Sequence, residues 1–144
     1  MTTADDIARG VSRLMVDRGY APLGEVSLKT GRRVDIMAIG PKGEICVVEI
    51  KSSREDFMTD RKWHEYLEYA DTFYFAVAAG FPLELLPDDE GLIIADGYHG
   101  EIVRASAEHP LPAARRKALL LRFARTAAHR ARRYEDPGLP ALLP

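Results

Sequence analysis

Residues 32–51 constrain this chain more than any other stretch, because they read as two strands joined by a tight turn. Two runs rich in β-branched and apolar residues flank a segment that contains proline and glycine, which is a β-hairpin signal. The connection fits a three-residue loop at 41–43, with its glycine in the left-handed conformation. That loop predicts a register in which Asp35 lies directly opposite Glu49.

Alternation of side chains along the strands predicts that Asp35, Glu49 and Lys51 share one face of the hairpin. Val34 and Ile36 are expected on the other face. Two carboxylates opposite each other on neighbouring strands repel, so a cation is expected between them. Lysine supplies part of that charge, and a hard divalent ion such as Mg²⁺ favours carboxylate and carbonyl oxygens. The pattern therefore predicts a metal site beside an ammonium group, which suits phosphodiester hydrolysis.

These residues resemble a known family. Asp35, followed after thirteen residues by Glu49-Ile50-Lys51, resembles the signature of the PD-(D/E)XK nucleases. The segments 48–57 and 60–67 are similar to the MmcB-like DNA-repair proteins of that superfamily. Valine stands where the signature has proline, and the resemblance covers most of residues 1–104.

The resemblance implies a DNA repair protein that is a metal-dependent DNA endonuclease. Asp35, Glu49 and the backbone carbonyl of Ile50 are expected to hold Mg²⁺ or Mn²⁺, while Lys51 orients or activates the attacking water. An earlier glutamate completes the metal site in many such nucleases, and Glu25 is the candidate; its alternative role is an exposed edge charge. The resemblance also implies a homodimer, partner proteins of a repair complex, and a bacterial, cytoplasmic protein associated with the nucleoid when it acts.

Length and composition agree with one soluble globular domain. The chain has 144 residues and a single cysteine, so an internal disulfide framework is excluded. No secretory signal and no apolar stretch of membrane-spanning length is visible, which predicts a cytoplasmic protein without membrane contact. Charge is distributed unevenly: residues 112–133 carry eight Lys and Arg and no Asp or Glu, whereas residues 1–111 carry 12 Lys and Arg against 20 Asp and Glu. Such a basic block favours an acidic partner such as DNA.

The resemblance implies a single α/β domain with a PD-(D/E)XK nuclease-like core over 1–111, a restriction-endonuclease-like αβββαβ arrangement and a central mixed sheet flanked by helices. Apolar periodicity predicts where the elements of this core lie. A basic amphipathic helix and an irregular tail complete the domain over 112–144. The helices of the core are expected at 3–18 and 54–70. Besides the hairpin, strands are expected at 25–29, 72–78, 91–95 and 101–104.

The basic helix at 112–133 has an apolar arc and an opposite arginine-rich arc. Its arginines are predicted to contact phosphates, or alternatively to dock a protein partner or a second copy of the chain. Further phosphate contacts are expected near the strand end that carries Lys51. The predicted DNA-binding residues are Arg33, Arg54, Lys62, Arg122, Arg125, Arg130 and Arg133.

Two other hypotheses remain open from the sequence. A nuclease fold can serve as a DNA-binding accessory module with little or no catalysis, although an intact set of Asp35, Glu49 and Lys51 argues against it. An unrelated α/β domain could carry the same residues as a surface ladder of charges.

Overall fold

A mixed sheet of six strands forms the centre of the computed structural model, which describes residues 1–143. The strands lie side by side in chain order. Two neighbouring pairs, the third with the fourth and the fourth with the fifth strand, are parallel, and the other pairs are antiparallel. The strands are β1 (Ala21–Ser27), β2 (Arg33–Ile39), β3 (Ile45–Ile50), β4 (Thr72–Val77), β5 (Gly91–Ala95) and β6 (Gly100–Arg104).

Helices cover both faces of this sheet, which makes the chain a single α/β domain, as predicted. One face packs on α1 (Ala4–Asp17), and the other packs on α2 (Arg54–Thr59), α3 (Trp63–Tyr66) and α4 (Ala113–Glu135). Short 3₁₀ turns follow α3 and β4, at Leu67–Tyr69 and Leu83–Leu85. No helix within residues 1–143 is long and apolar enough to cross a bilayer.

The hairpin has the predicted register. Ile39 pairs with Ile45 and Ile36 with Val48, so Asp35 falls opposite Glu49. The turn closes through a 3.0 Å hydrogen bond from the Gly43 amide to the Gly40 carbonyl, and Gly43 has the expected positive φ of 87°. A short-range signal in the loop therefore predicted a pairing that brings distant residues together.

The start of α1 is also as predicted. Thr3 and Asp6 form a reciprocal capping box, in which each side chain accepts a hydrogen bond from the other residue's amide. Gly10 allows α1 to pack closely on the turn between β5 and β6. A Cβ atom at this position would lie 2.1 Å from the carbonyl oxygen of Asp96 and 2.6 Å from that of His99.

The prediction of a single helix over 54–70 is wrong. It is interrupted between α2 and α3 at residues 60–62, where Asp60 adopts an extended conformation with ψ of 116°. The Asp60 carboxylate accepts hydrogen bonds from the amide of Lys62 and from the ammonium of Lys51. These bonds compete with the helical hydrogen-bond pattern, which is the general reason that aspartate favours helix ends.

The predicted face of Val34 is also wrong. Val34 packs with Met37 on the side of α2–α4, whereas Ile36 packs against α1. Strict alternation fails beside a distortion of the neighbouring strand, where Glu25 in β1, opposite Asp35, has a positive φ of 53°. The same irregular strand begins at Ala21, four residues before the predicted start.

The basic helix α4 is attached by polar contacts near its two ends and by apolar packing of Leu119, Leu120 and Phe123 between them. Near its start, Arg116 forms a bidentate ion pair with Asp71 at 2.5 and 2.7 Å. Near its end, Arg130 donates to the carbonyl oxygens of Gly24 and Glu25. Between these points, Leu119 is the one residue of α4 that is buried.

Candidate active site

A cleft of about 540 Å³ opens where β2 and β3 separate. Asp35, Glu49 and Lys51 all line it, as predicted for a shared site. The small side chains of α1 form part of its wall, and residues around the break between α2 and α3 form another part. These further lining residues include Ala4, Ala8, Ser12, Thr59, Asp60 and Tyr66.

The two carboxylates replace backbone pairing at the end of the hairpin ladder. Regular pairing of β2 with β3 ends at Ile36 and Val48. Beyond it, Glu49 Oε1 accepts a 2.9 Å hydrogen bond from the amide of Asp35, and Asp35 Oδ2 accepts a 2.8 Å bond from the amide of Ile50. Each carboxylate therefore has one oxygen fixed by a backbone amide of the opposite strand and a second oxygen outside these bonds.

Burial and proximity make both carboxylates hard to ionise. Glu49 is only 5% exposed. Its burial, together with the neighbouring charge of Asp35, raises the pKa of Glu49 to about 8. Burial also raises the pKa of Asp35, although the amide of Ile50 and the charge of Lys51 oppose the shift. At neutral pH the pair therefore retains a proton unless a cation compensates its charge.

Lys51 is held by an acidic partner from the helix break. Its side chain is 5% exposed, and its Nζ atom lies 2.5 Å from Asp60 Oδ2 and 4.0 Å from Asp56 Oδ1. Burial works against ionisation of Asp60, but the hydrogen bonds from Lys51 and Lys62 outweigh it and lower the pKa of Asp60. The ammonium is thus anchored at the cleft wall by a buried ion pair. Because Glu49 and Lys51 are both buried, the surface-ladder hypothesis is wrong.

The residues present fit a hard cation. In the described part of the chain, the second oxygen of each carboxylate accepts no hydrogen bond from a backbone amide and is a suitable metal ligand. The raised pKa values of the pair indicate negative charge that lacks full compensation. The carbonyl of Ile50 faces the same gap as its amide, since both groups of a strand residue point to one side. Across residues 1–143, however, no three His, Cys, Asp or Glu side chains gather closely enough to hold an ion by themselves. The remaining positions would have to be filled by water or substrate.

Glu25 lines the cleft but does not join this carboxylate pair in a three-residue cluster. Its side chain is 68% exposed, and its Oε2 atom lies 3.9 Å from an Arg33 nitrogen. It has the features of the alternative role, an exposed charge at the sheet edge.

The predicted DNA-binding residues occupy several different places. Arg33 and Lys62 line the cleft, whereas Arg54 begins α2 and does not line it. On α4, Arg122 borders a separate recess and Arg125 donates to the Leu143 carbonyl. Arg130 is engaged with β1 as described above. Arg133 is exposed and forms no ion pair or hydrogen bond within the part of the chain that the structure describes.

Two contributors to the site were not predicted. Asp60 was not assigned a role, although aspartate favours turns and helix ends and could have marked a break in the predicted helix. Tyr66 donates a 3.3 Å hydrogen bond to the Arg33 carbonyl. Burial, followed by the charge of Glu49, raises the pKa of Tyr66 to about 12, so its hydroxyl stays a donor at neutral pH.

Comparison with known proteins gives one family and one solved structure. Residues 1–138 match the family model described as DNA repair protein MmcB-like. The chain is also similar to the SPO1766 protein of unknown function from Silicibacter pomeroyi, with 45% sequence identity and a TM-score of 0.93. That match covers 100% of this chain and 99% of the other. No curated protein matches the chain.

Proposed function

Because this chain belongs to the MmcB-like DNA repair protein family, we propose that it is a divalent-metal-dependent deoxyribonuclease that hydrolyses phosphodiester bonds. The observation that carries the proposal is the convergence of Asp35 and Glu49, from adjacent strands, on one cleft that Lys51 also lines. A buried pair of like charges is unfavourable without a compensating cation or proton. A bound metal ion would explain why the fold retains this pair.

Asp35, Glu49 and the Ile50 carbonyl would hold Mg²⁺ or Mn²⁺ at the gap between β2 and β3. The chemistry that such an ion supplies is polarisation of a phosphoryl oxygen and acidification of bound water. Lys51 contributes a fixed positive charge at the cleft wall, where it can orient the attacking water and stabilise negative charge as it develops. Asp60 keeps that ammonium in place through their ion pair.

The charges of the cleft indicate that the metal ion binds before the nucleic acid does. Without an ion, the lining is predominantly acidic and would repel a phosphodiester. Arg33 and Lys62 can neutralise phosphates only at the rim, with Arg54 on the neighbouring helix. Six acidic residues line the cleft against three basic ones: Asp5, Glu25, Asp35, Glu49, Asp56 and Asp60 against Arg33, Lys51 and Lys62.

Cleavage and metal binding should be measured separately to test this proposal. Single-stranded, flapped and branched DNA are incubated with Mg²⁺ or Mn²⁺, and Mn²⁺ binding is measured by calorimetry. Lys51→Ala should remove cleavage and leave Mn²⁺ binding, whereas Asp35→Asn should remove both. Glu101→Gln, which changes an exposed carboxylate on β6, serves as the control. Absence of Mn²⁺ binding by the wild-type protein would contradict the proposal.

A second candidate function is a DNA-binding accessory protein of a repair complex with little or no catalysis. The observation that favours it is the short contact of Lys51 with Asp60, which occupies the ammonium that catalysis needs. Metal-stimulated DNA binding without cleavage of any substrate in the panel would support this function. A homodimer that acts in the cytoplasm at the nucleoid is compatible with both candidates, and sedimentation equilibrium tests the dimer.

A further inference from the structure

A second recess, of about 380 Å³, lies between α4, the 3₁₀ turn at Leu67–Tyr69 and the connection after β1. It shares no lining residue with the cleft, and we refer to it as the α4 recess. Tyr69 and Leu119, which are 7% and 5% exposed, contribute its apolar base. Its walls are formed by Pro112, Ala114 and Ala118.

The border of the α4 recess is exclusively cationic, since Lys29, Arg115 and Arg122 line it and no Asp or Glu within the described chain does. Arg115 donates a 3.0 Å hydrogen bond to the Glu68 carbonyl and lies over the ring of Tyr69, 5.3 Å from its centroid. Lys29 and Arg122 form no ion pair with any residue between 1 and 143. Two uncommitted positive charges therefore flank an apolar base.

We infer that the α4 recess binds an acidic peptide segment of a partner protein, which inserts one large apolar side chain between these cations. Charge complementarity and the apolar base together favour this occupant. Aspartate or glutamate side chains would meet Lys29 and Arg122, and the apolar side chain would cover Leu119. This inference does not depend on nuclease activity, because none of the residues involved lines the cleft.

Single-stranded DNA fits the α4 recess less well. Sequence-independent binding of single strands relies on aromatic faces on which bases stack. Tyr69 is the one aromatic residue that lines the recess, and its ring is both buried and covered by Arg115.

The chain itself shows how α4 holds an irregular segment. Along its C-terminal half, the His129 ring lies 2.8 Å from the Pro140 carbonyl, and Arg125 donates a 3.3 Å bond to the Leu143 carbonyl. Polar side chains of this helix thus already bind the backbone of a segment rich in leucine and proline. The same type of contact is available to a foreign peptide one turn away, at Arg122.

Fluorescence anisotropy of short labelled probes tests the inference. The first probe is the hexapeptide Asp-Asp-Asp-Asp-Ser-Phe, the second replaces its Phe with Ser, and the third is single-stranded oligodeoxythymidine of the same length. The full-length protein should bind the first probe at least about tenfold more tightly than the second, because only the first buries a large apolar side chain. Equal affinity for the two peptides would overturn the inference, as would the absence of binding to the first.

Variants then locate the binding. Arg122→Glu and Ala118→Glu should each weaken binding of the first peptide by about tenfold or more, since each places negative charge at the recess. Lys117→Glu makes the same change of charge as Arg122→Glu on an exposed position of α4 outside the recess, and it should have less than about a threefold effect. If Arg122→Glu and Ala118→Glu instead leave peptide binding intact and abolish oligodeoxythymidine binding, the recess is a DNA site and the inference is wrong.

Discussion

The Nζ atom of Lys51 lies 2.5 Å from Oδ2 of Asp60, and this contact joins the end of β3 to the interruption between α2 and α3. The lysine side chain is almost removed from water, at 5% exposure. The interruption of the helix is therefore what delivers a counter-charge to the predicted catalytic lysine. The extended backbone at Asp60 and the ion pair at Lys51 therefore depend on each other.

Loss of that counter-charge should be costly for stability. We expect Asp60→Asn to lower the free energy of unfolding by about 3 kcal/mol, the lower part of the range for a broken buried ion pair, because Asp56 remains 4.0 Å from Lys51. Urea denaturation measures the loss, with the exposed Asp88→Asn as control. Adding Lys51→Met to Asp60→Asn should restore most of the lost free energy of unfolding, because no unpaired charge then remains buried. A double variant as unstable as Asp60→Asn would show that the effect comes from the start of α3.

Asparagine and alanine at position 35 should have opposite effects on the metal-free protein. Asp35→Asn keeps an oxygen for the amide of Ile50 and removes repulsion with Glu49, so stability should be unchanged or higher. Asp35→Ala leaves that amide unpaired and should lower the free energy of unfolding by about 1–3 kcal/mol. Thermal unfolding in chelator distinguishes the two. A clear loss in the asparagine variant would indicate that the Asp35 charge itself stabilises the fold.

Stability of the metal-free protein should fall as pH rises towards alkaline values. The folded-state pKa of Glu49 is raised from 4.5 to about 8, so its protonated form is favoured by folding. This contribution is complete below the unfolded pKa and is lost as pH rises through 8, with a slope of at most about 1.4 kcal/mol per pH unit.

Melting temperatures in chelator between pH 5 and 9 provide the measurement. Glu49→Gln should show a flatter dependence than the wild-type protein, and parallel curves would contradict the raised pKa. Added Mn²⁺ should stabilise the wild-type protein increasingly as pH rises, because the ion competes with the bound proton.

DNA binding by α4 is best tested at Arg125 and Arg133. Each phosphate contact contributes about 0.9 to the dependence of log K on log salt for duplex DNA, so replacing both by alanine should flatten that slope by roughly 2. Lys51→Ala should leave the slope intact. A slope unaffected by the arginine changes would exclude this face of α4 from the DNA interface. Arg130→Ala is unsuitable as a probe, since it would also release the contacts with Gly24 and Glu25.

Local signals predicted the parts of the site that depend on neighbours in sequence. The turn at 41–43 determines the hairpin register, and the register alone brings Asp35 opposite Glu49. The capping box at the start of α1 was predictable for the same reason, because Thr3 and Asp6 lie within one helical turn.

The failures of prediction involve contacts between distant segments. Apolar spacing continues across 54–70, so nothing periodic marks the interruption at Asp60, whose partner is a residue of β3. The face of Val34 depends on a distortion of the adjacent strand at Glu25, and α4 reaches that strand through Arg130. Such features are set by tertiary contacts that override local propensity.

The way in which α4 is attached suggests how the molecule opens. Arg116 and Arg130 hold its two ends by polar contacts. Between them Leu119 is buried, while Leu120 and Phe123 are only partly buried against the core. Few buried apolar contacts give a segment a low free energy of local opening. Amide hydrogens of 113–135 should therefore exchange with solvent before those of β3 and β4, and sooner still in high salt. We therefore expect α4 to open locally while the hairpin of β2 and β3, which holds Asp35 and Glu49, stays closed.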